Sequence, residues 1–195
     1  EHEDGLGVLI ADVSGHGIPA ALIASMVKMA FALNRHLAPE PARMLSALNQ
    51  VLCDKVDNHF VTASYYFANI RSRKVLHASA GHPPLYLVER ETGKITECKP
   101  KGGFLGVFAD VVHLQGEEEL QNGLRLLQIT DGVIESRSRA GTEFGIEKLK
   151  EIILRTLQLD TEATADQIME QLREHNPAYF DDDVTFVLID YTLGG

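Results

Sequence analysis

From residue 60 to residue 130 the sequence reads as a succession of short strands with no helix between them, and helical patterns stand in pairs on either side. That order constrains the fold more than any other feature. Strand-like runs cover residues 60–70, which carry Val, Thr, Tyr and Phe, and then 74–79, 85–89, 94–97, 107–114 and 124–130. Before them come a strand at 6–13 and helices at 18–33 and 42–54. After them come helices at 146–157 and 163–175 and a last strand at 184–191. Helices do not alternate regularly with strands, which disfavours a doubly wound parallel sheet. Strands joined by hairpins and flanked by helix pairs predict an α+β fold of antiparallel sheets covered by helices.

Local chemistry supports these elements. Residues 6–13 are apolar and end abruptly in Ser14-Gly15-His16-Gly17; Pro19 then falls where the first turn of a helix tolerates it. Residues 18–33 are rich in Ala, Met and Leu and almost uncharged, so this helix is expected to be buried on most sides, with Met26, Met29 and Phe31 in the core. In the second helix Met44, Leu45, Leu48, Val51 and Leu52 recur at helical spacing. Arg90-Glu91-Thr92-Gly93 fits a hairpin turn, and Asn122-Gly123 breaks the chain between two strand candidates.

Bulk properties remove several function classes. A net charge of −10 argues against a nucleic-acid surface, which needs clustered Lys and Arg. No apolar run approaches the ~20 residues of a membrane span, so no membrane contact is expected. The opening Glu1-His2-Glu3-Asp4-Gly5 lacks the basic and apolar regions of a signal peptide. It reads as the tip of a hairpin entered halfway, and a chain cut from something longer is expected. Cys53 and Cys98 lie far apart without C-x-x-C spacing, so a thiolate-built zinc site is not expected. Free thiols and a cytoplasmic location are the expectation.

Three aspartates occupy the same kind of place. Asp12 and Asp131 end predicted strands, and Asp182, within Asp181-Asp182-Asp183-Val184-Thr185, precedes the last one. A carboxylate at the end of a buried strand is costly unless it is paired, hydrogen-bonded or bound to a cation. Each could simply cap a turn. Brought together, they would suit Mg²⁺ or Mn²⁺, which favour oxygen ligands and acidify water.

The blocks that carry these residues resemble a known family. Asp12-Val13-Ser14-Gly15-His16-Gly17 with Pro19-Ala20-Ala21, then Ala80-Gly81-His82-Pro83-Pro84, Gly103-Phe104-Leu105-Gly106, Thr130-Asp131-Gly132-Val133-Ile134-Glu135 and Asp182-Asp183-Val184-Thr185 follow in the order seen in the bacterial PP2C-like (PPM) serine/threonine phosphatases, the group of the stage II sporulation phosphatase and of sigma-factor regulators. The resemblance spans nearly the whole chain. It implies a PP2C-like α-β-β-α sandwich of two antiparallel sheets flanked by helix pairs, and two Mn²⁺ or Mg²⁺ ions with a metal-bridging water as nucleophile. Asp12, Asp131 and Asp182 match the metal-site aspartates, and Val13 matches the position that ligates through its carbonyl. The implied substrate is phosphoserine or phosphothreonine on a protein partner, such as a STAS-fold anti-anti-sigma factor. An upstream sensory or receiver domain is implied too, with residues 1–195 forming one phosphatase domain. Family members carry a G-G-D-x-x-D strand ahead of the first aspartate. Here that block is absent and Asp4 does not match it, so a domain lacking its first strand is expected. The alternative is an inactive docking module. The helices at 18–33 and 42–54 offer a switch or homodimer surface.

The remaining candidates carry less. His16 lies four residues after Asp12 and is a candidate general acid or a turn histidine. His82 fits a loop-holding role. His2, His36, His59, His77, His113 and His175 share no spacing and receive no role. Ser14 is not set in G-x-S-x-G, which excludes a nucleophile elbow.

Overall fold

The computed structural model describes residues 2–56, 58–177 and 182–192. It divides into two compact units, one of Glu1–Leu85 with Cys98–Leu120 and one of Tyr86–Glu97 with Gln121–Gly195.

The first unit is an antiparallel sheet with a helix pair. The strands β1 (Gly5–Val13), β2 (Val61–Asn69) and β3 (Lys74–Ala80) lie in sequence order, and β6 (Gln115–Glu119) pairs with β3. Every pairing is antiparallel. Helices α1 (Ile18–Leu33) and α2 (Pro41–Leu52) supply the rest of the core. Alternate residues of β2, Val61, Ala63 and Tyr65, pack with Ala78 and Ala80 of β3 against Ile23, Val27, Ala30, Met44, Leu45, Leu48 and Leu52. The buried Tyr65 hydroxyl donates to the Ala38 carbonyl at 2.9 Å. The opening turn is tight: His2 and Gly5 exchange backbone hydrogen bonds of 3.0 and 3.1 Å.

Two expectations fail in this unit. Helix α1 is not buried on most sides: its buried stripe is Ile23, Val27 and Ala30, while Ile18, Leu22, Met29 and Leu33 are exposed. The stripe follows helical spacing, so residues a half-turn away face outward whatever their hydropathy. Met26 and Phe31 pack on the core, but Met29 does not. The strand expected at 107–114 is an irregular segment with Val107, Phe108, Val112 and Leu114 exposed, and the strand forms instead over the polar Gln115–Glu119. As an edge strand β6 needs no apolar face, and its charges protect the open edge. Lys74 meets Glu117 there at 2.6 Å.

The second unit repeats the plan. The strands β4 (Leu85–Glu89), β5 (Ile95–Cys98), β7 (Leu124–Ile129) and β8 (Phe186–Tyr191) lie in the order β5-β4-β7-β8. Helices α4 (Ile146–Arg155) and α5 (Thr161–His175) pack Leu149, Ile152, Ile153, Ile168 and Leu172 against Tyr86, Val88, Leu127 and Ile129. Asp160 caps α5, its side chain accepting from the Ala163 N–H at 2.8 Å. The turn expected at Arg90–Gly93 is present, with Gly93 donating to the Glu89 carbonyl at 2.8 Å. A short helix α3 (Asp131–Ile134), not expected from the sequence, follows β7 directly.

Candidate metal centre

In the first unit, Asp12 and Val13 are the last two residues of β1 and pair with Thr62 and Val61 of β2. The turn after them is held from one side. Ser14 donates its N–H to the Phe60 carbonyl at 2.9 Å, and its hydroxyl accepts from the Phe60 N–H at 2.8 Å. His59 Nδ1 meets the Ser14 carbonyl at 2.7 Å. Ser14 is thus a turn residue, as its sequence context required. Gly17 takes φ 80°, which favours glycine, and opens α1 with Pro19 in its first turn. His16 is exposed on this turn.

The next two sequence blocks converge on the same strand end. His82 is buried, and its Nδ1 lies 2.8 Å from the Thr62 hydroxyl, whose residue faces Asp12. The loop-holding role expected of His82 is what it performs here. Gly81 takes φ 71°, and a Cβ added there would overlap the Phe104 ring. Phe104 in turn stacks on Phe60 at 4.7 Å. Leu105 and Val61 exchange backbone hydrogen bonds of 2.9 and 3.0 Å. The Asn49 amide of α2 donates to the Phe108 carbonyl and accepts from the Gly106 N–H, both at 2.8 Å. Three blocks separated by dozens of residues therefore meet around Phe60–Thr62, beside Asp12.

In the second unit the other two aspartates come together. Asp131 is the first residue of α3, where a negative charge is favoured by the helix dipole, and its Oδ1 accepts from the Gly132 N–H at 3.0 Å. Asp182 lies just ahead of β8, and its Oδ1 accepts from the Asp183 N–H at 2.8 Å. Thr130 clamps the two segments. Its backbone N–H donates to the Thr185 carbonyl at 2.9 Å, and its hydroxyl donates to the Asp183 carbonyl at 3.0 Å and accepts from the Thr185 N–H at 3.0 Å. Gly132 lets them touch: a Cβ there would overlap the Asp183 carbonyl and lie 3.6 Å from the Asp182 Cβ. Asp131 is half-buried and Asp182 exposed, and the two stand on adjoining backbones. That donor set suits a hard divalent cation that keeps some of its water. Asp181 lies outside the described residues.

Sequence spacing found Asp131 and Asp182 but not what joins them. Thr130 and Gly132 are the residues that bring them together, and the T-D-G triplet was their only trace. Elsewhere in the first unit His77, Cys98 and Glu118 gather, a cluster with no spacing signal.

Comparison with known proteins bears on the family and the fold. Residues 2–192 match the family model described as stage II sporulation protein E (SpoIIE). The chain is 33% identical over 140 residues, 71% of its length, to the phosphoserine phosphatase RsbU of Bacillus subtilis, and covers 42% of that protein. It spans less than half the length of the curated relatives it matches. The SiaA-PP2C domain of Pseudomonas aeruginosa superposes with a TM-score of 0.87 over 98% of this chain and 78% of that one, at 22% identity. The catalytic domain of the serine/threonine protein phosphatase PstP, solved with two manganese ions, gives a TM-score of 0.68 over 95% of this chain and 87% of that one, at 16% identity. The α+β fold is that of the PP2C phosphatases, and the chain belongs to the stage II sporulation protein E (SpoIIE) family.

Proposed function

We propose that this chain is the catalytic part of a metal-dependent protein serine/threonine phosphatase. The observation that carries the reading is the junction of Asp131 and Asp182, held by Thr130 and made possible by Gly132. Asp12 and the Val13 carbonyl in the first unit, and Asp131 and Asp182 in the second, are the groups that would ligate Mn²⁺ or Mg²⁺, two ions in all, as the sequence resemblance implies. Bound there, the cations would supply positive charge to the phosphoryl oxygens and acidify water at the site. The protein's own part is positioning. The three blocks packed around Phe60–Thr62 fix the end of β1, and the Thr130 clamp fixes the spacing of the other two carboxylates. This reading includes no covalent phosphoenzyme; Ser14 Oγ accepts from the Phe60 N–H within the turn.

The substrate in this reading is a phosphoseryl or phosphothreonyl protein, and a STAS-fold anti-anti-sigma factor is the partner class. The phosphoserine phosphatase activity named for RsbU, 33% identical over 140 residues, supports the phosphoseryl class; the partner class is what the sequence resemblance implies. Phosphate release from phosphoseryl, phosphothreonyl and phosphotyrosyl peptides, each with Mn²⁺ and with EDTA, tests the class. Release from the first two alone, lost in EDTA and in Asp182→Asn, is the expected outcome. Release that persists in EDTA, or release from phosphotyrosine alone, contradicts it.

A further inference from the structure

His77 is buried on the face of β3 that points away from the helix-packed Ala78 and Ala80. Its exposure is 5%, yet neither ring nitrogen has a hydrogen-bond partner among the described residues. A buried polar atom without a partner carries the full cost of leaving water. Its neighbours are ligand-forming groups. His77 sits opposite Gly116 in the β3–β6 ladder, and Glu118 is two residues along β6 on the same face. Cys98, the last residue of β5, groups with this unit; it is buried at 4% exposure with a free thiol. One ligand atom each from His77, Cys98 and Glu118 all fall within 4.8 Å of one another. Gly116 makes room, since a Cβ there would overlap the His77 ring.

We propose that His77, Cys98 and Glu118 form a zinc site within the first unit, in addition to the carboxylate centre. One sulfur, one nitrogen and one carboxylate oxygen match the ligand types zinc takes in tetrahedral sites, and exposed Glu118 leaves the fourth position to water. The sulfur and the imidazole select against Mg²⁺ and Mn²⁺. Burial holds the imidazole neutral, its pKa pushed down to about 4, so its lone pair is available. Burial first and the Glu118 charge second push the Cys98 thiol up to about 12. Zinc must therefore displace the thiol proton as it binds, with one proton released to solvent and the thiolate taken as ligand. The absence of C-x-x-C spacing hid the site, because its three ligands come from three separate segments.

Cobalt is the probe, added to the chelator-stripped protein. The expected result is tetrahedral cobalt absorption with a sulfur-to-cobalt charge-transfer band, saturating at one equivalent, displaced by Zn²⁺ and retained in Asp131→Asn. Cys98→Ser should abolish the band while circular dichroism shows the fold intact. Glu118→Gln, an exposed change that spares the fold, should weaken cobalt binding about tenfold or more. Absence of the band in the folded wild-type protein, its survival in Cys98→Ser, or unchanged affinity in Glu118→Gln overturns the proposal.

Discussion

Arg125 and Asp190 stand directly opposite each other in the β7–β8 ladder and are joined by two hydrogen bonds, 2.6 Å from Nε and 2.8 Å from Nη2. Arg125 is fully buried, and its remaining N–H groups reach the Thr156 and Leu159 carbonyls and the Thr164 hydroxyl. Arg90 donates to the same carboxylate at 3.0 Å. This network fastens β7 and β8, the strands that flank Asp131 and Asp182. Asp190→Asn keeps the shape but leaves a buried guanidinium without its counter-charge. It should lower unfolding stability by about 3–5 kcal/mol, read as a lower urea midpoint with unchanged slope.

Asn49 is a second fastening, in the other unit. It is 2% exposed and serves both Gly106 and Phe108. Asn49→Leu fills a similar volume but leaves the Gly106 N–H and the Phe108 carbonyl without their partner. A loss of about 1–3 kcal/mol is expected, with faster amide exchange at Gly106.

Gly132 tests the metal centre without touching a carboxylate. Gly132→Ala drives its Cβ against the Asp183 carbonyl and parts Asp131 from Asp182. Displacements near an ångström cost about a hundredfold in turnover. Metal-dependent hydrolysis should fall by that order, while thermal unfolding shifts far less.

Two buried histidines set an acid limit on the metal-free protein. Burial lowers the pKa of His77 to about 4, and burial lowers that of His113 despite the bond from its ring to the Gly103 carbonyl. Both folded-state values lie below the ordinary 6.5, so the unfolded chain binds protons first as pH falls. Their contribution is complete above pH 6.5 and declines below it, for His77 down to about pH 4. In EDTA, the urea midpoint should drop across that window, and His77→Gln should flatten part of the drop.

Much of this was legible in the sequence. Helix α1 has the expected bounds because Gly17 and Pro19 mark its start. The five blocks pointed to the family and singled out the candidate carboxylates. What stayed hidden is pairwise in space. Edge strand β6 is polar because its outer side meets solvent, so periodicity pointed instead to the apolar 107–114 segment. The exposed side of α1 carries Ile18, Leu22, Met29 and Leu33, so hydropathy alone does not set it apart from the buried stripe. Helix α3 is too short for any period to register. His77, Cys98 and Glu118 meet only once the strands are in register.

The central claim is that the carboxylates of this chain hold the cations that hydrolysis needs. Turnover of an aryl phosphate against Mn²⁺ concentration, in wild type and Asp131→Asn, tests it most directly. The account predicts saturable Mn²⁺ dependence, none in EDTA, and a fall of about a hundredfold or more in the variant. Turnover that ignores Mn²⁺, or a folded Asp131→Asn protein as active as wild type, would contradict it.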